Sequence, residues 1–76
     1  MKDTDALAEI KAEYETASFK FGIMLSPHEG LAIILEEYEE LKEEVFKQFD
    51  TRDKLEMRKE AIHLATMAMR FMVDLT

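Results

Sequence analysis

Turn-forming residues are scarce in this chain, which has two glycines and one proline among 76 residues. Glycine and proline favour turns because one tolerates positive φ and the other fixes φ. Apolar residues recur at helical spacing, whereas the alternation typical of strands is absent. The sequence therefore predicts an all-α fold of three helices. No internal repeat, low-complexity tract or linker interrupts it, so a single domain over residues 1–76 is expected.

The first two helices have clear sequence boundaries. The first is predicted from about Thr4 to Phe21, with Gly22 at its carboxyl end. The second begins with Ser26 as N-cap and Pro27 in the first turn, and Glu29 would complete a capping box. The first apolar stripe comprises Leu7, Ile10, Tyr14, Ala17 and Phe21, and the second comprises Leu31, Ile34, Leu35, Tyr38, Leu41, Val45 and Phe49.

The third helix is predicted from about Thr51 to Leu75, with Asp50 or Thr51 as its cap. From residue 61 to residue 73 its polar residues are only His63, Thr66 and Arg70. A helix that is apolar around most of its circumference needs cover on several sides. We therefore expect a dimer or larger assembly, most simply with a four-helix core from the second and third helices of two chains. The third helix has two apolar seams. One comprises Met57, Ala61, Leu64, Ala68, Phe71 and Leu75, and the other comprises Ile62, Ala65, Met69 and Met72.

Composition excludes several classes of function. The net charge of −7 argues against binding to nucleic acid, which requires a basic surface. The chain has no cysteine and therefore no disulfide, thiolate zinc site or cysteine nucleophile. No apolar run approaches the about 18 residues of a membrane span, and the amino terminus is acidic and polar, unlike a signal peptide. A cytoplasmic protein without membrane contact is the expectation.

Acidic residues concentrate in the second predicted helix. Glu37 and Glu40 are neighbours at spacing i, i+3, and the third helix carries Glu60 and His63 at the same spacing. If these helices pack antiparallel, the two pairs can face each other near the middle of the bundle. Three carboxylates gathered there would repel one another unless a cation lay between them. The alternative is a solvated acidic face neutralised by nearby lysines and arginines.

These residues also carry a resemblance to a known family. The segments Leu35-Glu36-Glu37-Tyr38-Glu39-Glu40-Leu41 and Lys59-Glu60-Ala61-Ile62-His63 resemble the EExxE…ExxD signature of the MazG-like all-α nucleoside triphosphate pyrophosphohydrolases, especially the short, phage-type members. The resemblance covers residues 26–75. It implies an oligomeric helical enzyme that depends on Mg²⁺ and converts a nucleoside triphosphate to the monophosphate and pyrophosphate. It implies Glu37, Glu40 and Glu60 as metal ligands, and Glu36 as a ligand or as the carboxylate that orients the attacking water.

The chain departs from this signature at His63, which stands where the family has an aspartate. Magnesium prefers oxygen to imidazole nitrogen. Three interpretations stay open: His63 is a hydrogen-bonded core residue, it assists a magnesium site or contacts substrate, or it forms with Glu60 the Glu-xx-His ligand pair of di-iron and di-manganese carboxylate bundles. The last interpretation would favour Mn²⁺.

Contacts to the substrate are also expected to differ from those of the larger members. A further helix that contacts the nucleotide in those members has no counterpart before the chain ends at Thr76. Arg70, or Lys59 or Arg58 of a neighbouring chain, would then contact phosphate, the alternative for each being a surface ion pair. The chief rival function is a non-enzymatic helical assembly protein that keeps the fold without the chemistry.

Overall fold

The computed structural model describes residues 1–47 and 53–76 and is helical almost throughout. Its elements are α1 (Asp3–Phe21), α2 (Pro27–Val45) and α3 (Lys54–Leu75). The all-α prediction with three helices is confirmed, and the described residues contain no strand. The predicted stripe residue Phe49 and the predicted caps Asp50 and Thr51 lie outside the described residues.

Local capping interactions set the ends of the helices. Gly22 ends α1 with φ 71°, and its N–H donates to the Ser18 carbonyl. At the start of α2, the Ser26 hydroxyl accepts a hydrogen bond of 3.1 Å from the Glu29 N–H, as the sequence predicts. Helix α3 begins at Lys54. Its N-cap is Asp53, whose carboxylate accepts hydrogen bonds from the N–H groups of Leu55 and Glu56.

Helix α3 lies between the other two helices. Gly30, near the start of α2, lies against Phe71, near the end of α3, so these two helices run antiparallel. Helix α1 runs parallel to α3, because Gly22 at its carboxyl end is hydrogen-bonded to Arg70, which lies near the carboxyl end of α3. In the described chain, no Cα atom of α1 comes within 8 Å of one in α2. A gap therefore remains between α1 and α2, with α3 as its floor.

The core of the chain is small. Ala17, Met24 and Met67 form its centre, and the side chains packed against them are Ile33, Ile34, Phe71 and Leu75. The backbone N–H of Met24 donates to the Asp74 carboxylate at 2.9 Å, which ties the connector between α1 and α2 to the end of α3. No helix in the described ranges is long and apolar enough to cross a lipid bilayer.

In its second half, helix α3 directs polar residues inward and part of its apolar surface outward. Thr66 and Arg70 are among the most buried side chains, whereas Ala68, Met72 and Val73 are exposed. Polar residues at 63, 66 and 70 fall on one stripe because their spacing is close to one helical turn. The side of α3 that faces α1 and α2 therefore combines this polar stripe with Met67, Phe71 and Leu75, and the two apolar seams are only partly covered within the chain.

Candidate metal centre

Four candidate ligands from two helices converge at the floor of the gap. Glu37 and Glu40 of α2 meet Glu60 and His63 of α3, and one potential ligand atom from each lies within 4.8 Å of the others. The antiparallel packing of α2 and α3 brings the two i, i+3 pairs to the same level. We call these residues the four-residue cluster. Their convergence is the arrangement that the spacing in the sequence predicts.

Two carboxylates of the cluster are largely withdrawn from solvent. The side chains of Glu37 and Glu60 are 17% and 13% exposed, and His63 Nδ1 lies 3.8 Å and 3.5 Å from their respective Oε2 atoms. Both Oε2 atoms are buried, and with the carboxylates ionised neither accepts a hydrogen bond from a donor in the described part of the chain. Glu40 is exposed, so the cluster is open to solvent on that side. Buried oxygens without partners are rare in folded proteins and suit a ligand that they could bind.

Burial and mutual repulsion disfavour the ionised carboxylates. The pKa of Glu37 is raised mainly by desolvation and next by the Glu40 charge, although the neighbouring imidazole of His63 opposes this. The pKa of Glu60 is raised by desolvation and then by hydrogen bonding of its protonated form to Glu40. A divalent cation would reverse both effects, because it replaces the lost solvation and attracts each carboxylate.

A fifth side chain, Glu13 of α1, joins this group from the opposite side of the imidazole. Its Oε1 lies 3.9 Å from His63 Nε2. Glu13 is not among the site residues predicted from the sequence, although the sequence contains a signal for it. Glu13 is three residues after Ile10 and four before Ala17, so it lies on the core-facing stripe of α1. Its side chain is 37% exposed, and the imidazole of His63 is the polar group of α3 that faces it.

The other predicted site residues lie around the cluster. Glu36 is exposed and lines a cavity of about 360 Å³ together with Glu37 and Arg70. Lys59 is exposed and forms a surface pair with Glu56 at 4.0 Å. It lines a second cavity, of about 450 Å³, together with Arg58 and His63. Glu36 and Lys59 therefore flank the four-residue cluster without belonging to it.

Arg70 does not form the surface ion pair that the sequence suggested. Its side chain is only 3% exposed, and its guanidinium donates a hydrogen bond of 2.8 Å to the carbonyl of Gly22. It also lies 3.4 Å from the sulfur of Met67. A cation is favourable here because the last carbonyls of α1 lack helical partners and carry the negative end of the helix dipole. The surface-pair interpretation is therefore wrong for Arg70.

A third cavity gives access to the cluster. It encloses about 370 Å³ between α1 and α2, and Glu37, Glu40 and His63 line its floor. Lys20 and Phe21 of α1 line the same cavity. A small ligand could therefore approach the cluster through the gap. Family models, curated proteins and solved structures yield no match to this chain.

Proposed function

We propose that this chain is a metal-dependent nucleoside triphosphate pyrophosphohydrolase of the MazG-like type, which releases the monophosphate and pyrophosphate. The observation that carries the proposal is the convergence of Glu37, Glu40 and Glu60 with two buried carboxylate oxygens that lack partners. The same three glutamates are the ones that the resemblance to the EExxE…ExxD signature implies as ligands. Geometry and resemblance thus favour the same residues independently.

The donor set fits a divalent cation. Three carboxylates suit Mg²⁺ or Mn²⁺, and the imidazole of His63 is a ligand that Mn²⁺ accepts more readily. Glu37, Glu40, Glu60 and His63 would hold the ion. When bound, it would neutralise charge on the phosphate oxygens and so stabilise the transition state of phosphoryl transfer.

Other residues of the chain would bind and orient the substrate. Glu36 lies beside Glu37 on α2 and is exposed to the neighbouring cavity, where its carboxylate can accept a hydrogen bond from a water molecule and hold it for attack on phosphorus. Lys59 can leave its surface partner Glu56 and bind a phosphate instead, because such surface ion pairs contribute little to stability. Arg70, bonded to Gly22, would act chiefly by fixing the end of α1 beside that cavity.

The proposal includes assembly into a homodimer through α2 and α3. Exposed apolar residues repeat along α2 at Leu31, Leu35 and Tyr38, and along α3 they include Ala61, Ala68 and Met72. The α3 residues are rotated by about 100° or more from Met67, which faces α1. A second copy could cover both stripes at once and build a four-helix core, with α1 on the outside. The small side chains at 61 and 68 would allow close approach of the helices.

Metal binding with a matched control tests the proposal. Calorimetric titration with Mg²⁺ and then Mn²⁺ compares the native chain with a Glu37→Gln/Glu60→Gln variant and with Glu43→Gln, an exposed glutamate of the same helix. We expect binding to the native chain and to Glu43→Gln, and none to the double variant. A hydrolysis screen with deoxynucleoside and ribonucleoside triphosphates should then yield pyrophosphate instead of orthophosphate. Metal binding without any hydrolysis would contradict the enzymatic proposal.

The exposed apolar stripes favour a second candidate, a helical assembly protein without catalytic activity. This candidate predicts self-association with no metal binding, even when nucleotide is present. A di-metal carboxylate bundle is a third outcome of the same titration, suggested by the short distances from His63 Nδ1 to Glu37 and Glu60. It predicts tight Mn²⁺ binding and no release of pyrophosphate.

A further inference from the structure

We propose that Glu13 is a positioning residue which orients His63 so that its Nδ1 atom becomes a metal ligand. As a consequence, the centre prefers a divalent metal that accepts nitrogen, such as Mn²⁺, over Mg²⁺. This inference rests on the metal centre of the proposed function and extends it to the class of metal and to a residue of α1. The observation behind it is that the two ring nitrogens of His63 face different carboxylates.

The geometry separates the roles of the two nitrogens. Nδ1 faces Glu60 and Glu37 at 3.5 Å and 3.8 Å, and Nε2 faces Glu13 at 3.9 Å. A neutral imidazole carries a proton on one nitrogen and a lone pair on the other. A cation held by Glu37 and Glu60 would disfavour a proton on Nδ1, and the charge of Glu13 would stabilise the proton on Nε2. The lone pair of Nδ1 could then face the cation. A small rotation of the partly exposed Glu13 side chain would close the 3.9 Å separation to a hydrogen bond.

This arrangement has the components of a carboxylate–histidine–metal triad. In such triads the carboxylate fixes the tautomer and ring orientation and raises the basicity of the coordinating nitrogen. Glu13 belongs to a different helix from the four candidate ligands, so α1 would contribute to the centre only through the imidazole. Mn²⁺ gains from a nitrogen ligand, whereas Mg²⁺ strongly prefers oxygen and keeps several waters. An imidazole as the fourth ligand, instead of another carboxylate, would therefore shift the preferred metal from Mg²⁺ toward Mn²⁺.

Electron paramagnetic resonance of bound Mn²⁺ provides a readout that does not depend on activity. The loss of the free-ion signal gives the affinity, and electron spin-echo modulation by ¹⁴N reports a coordinated imidazole. We expect ¹⁴N modulation in the native chain. In His63→Asp the modulation should vanish, and the ratio of Mn²⁺ to Mg²⁺ affinity should fall because the new ligand is an oxygen.

Variants of Glu13 test the positioning role itself. Glu13→Ala should weaken Mn²⁺ binding by about 10- to 100-fold, the usual effect of losing such an orienting group, and should change Mg²⁺ binding much less. Glu13→Gln should retain most of the affinity, because its amide oxygen can accept from Nε2–H. Glu9→Ala is the matched control, because Glu9 lies one turn earlier on α1 and lines the same cavity as Glu13 and His63. Circular dichroism checks that each variant keeps its helices.

The outcomes separate this inference from the proposed function. The role assigned to Glu13 would be overturned, with the metal centre intact, by either of two results. One is bound Mn²⁺ without ¹⁴N modulation in the native chain, and the other is equal Mn²⁺ affinity in Glu13→Ala and Glu9→Ala. Modulation with normal affinity but no nucleotide hydrolysis would overturn only the enzymatic proposal. Absence of Mn²⁺ binding would overturn both.

Discussion

Replacing Glu60 by glutamine should stabilise the metal-free protein and abolish its stabilisation by metal. The substitution preserves the shape of the side chain but removes a charge from a site where the carboxylate is largely buried and close to Glu37 and Glu40. Most substitutions of buried residues destabilise a protein. A gain in stability would therefore be a specific sign that the site is held together against electrostatic repulsion.

The magnitude follows from the distances in the cluster. At the 4.8 Å separation that bounds its ligand atoms, two like charges repel by about 0.9 kcal/mol in bulk water and about 3.5 kcal/mol at an effective dielectric constant of 20. Because Glu40 is exposed, the lower part of this range applies. We expect Glu60→Gln to raise the free energy of unfolding by about 1 to 2 kcal/mol. In a domain of this size, each kcal/mol raises the melting temperature by roughly 4–8 °C.

The effect should depend on pH in a defined direction. The pKa values of Glu37 and Glu60 are raised above the ordinary 4.5, so the folded chain binds more protons than the unfolded chain at pH values just above 4.5. Their contribution to stability is therefore greatest at low pH and is lost as pH rises through the folded-state pKa values. The advantage of Glu60→Gln over the native chain should accordingly be small near pH 4 and grow toward neutral pH.

Thermal and urea unfolding at a fixed protomer concentration measure both effects, with and without Mn²⁺. Metal at 100 times its dissociation constant should add about 2.7 kcal/mol to the native chain and nothing to Glu60→Gln. Glu43→Gln makes the same change of charge at an exposed position and should lie within about 0.5 kcal/mol of the native chain. A loss of stability in metal-free Glu60→Gln, with no dependence on pH, would refute the electrostatic reasoning.

Four further predictions concern the packing within the chain and between its copies. Gly30→Ala should destabilise it in urea by about 1 to 3 kcal/mol, because the new Cβ would lie 2.6 Å from Cδ2 of Phe71, and a second substitution, Phe71→Leu, should relieve part of that loss. Gly22→Ala should lower the free energy of unfolding by about 1 to 3 kcal/mol, because alanine is strained at φ 71°. Nothing lies within 4 Å of a Cβ at position 22, so Phe71→Leu should restore no stability to Gly22→Ala. If Phe71→Leu restored as much stability to Gly22→Ala as to Gly30→Ala, the clash with Phe71 would be refuted. Arg70→Met should lower the free energy of unfolding by roughly 2 kcal/mol or more, because the Gly22 carbonyl loses its charged donor. An unchanged urea midpoint would count against a stabilising role for this hydrogen bond. Leu35→Glu should shift the mass in sedimentation equilibrium toward the monomer, because Leu35 is 55% exposed on the proposed dimer surface, and an unchanged mass would argue against that surface.

The sequence by itself determined the features that depend on local interactions. The end of α1 at Gly22 and the start of α2 at Ser26 follow from backbone conformation and capping, which involve residues only a few positions apart. The pairing of Glu37 with Glu40 and of Glu60 with His63 follows from the helical period. One packing assumption, that α2 and α3 are antiparallel, then suffices to bring the four residues together, and the fold satisfies it.

Only the tertiary structure decided which side of each helix faces its neighbours. The apolar surface of α3 is so wide that its periodicity does not define a single inward face, and packing against α1 and α2 selects the stripe that carries His63, Thr66 and Arg70. The burial of Arg70 follows from this choice, as does the contact of Glu13 with His63. Both contacts join α1 to α3 across about 50 residues of sequence. They depend on the position and rotation of α1 on α3, which helical spacing within either segment leaves open.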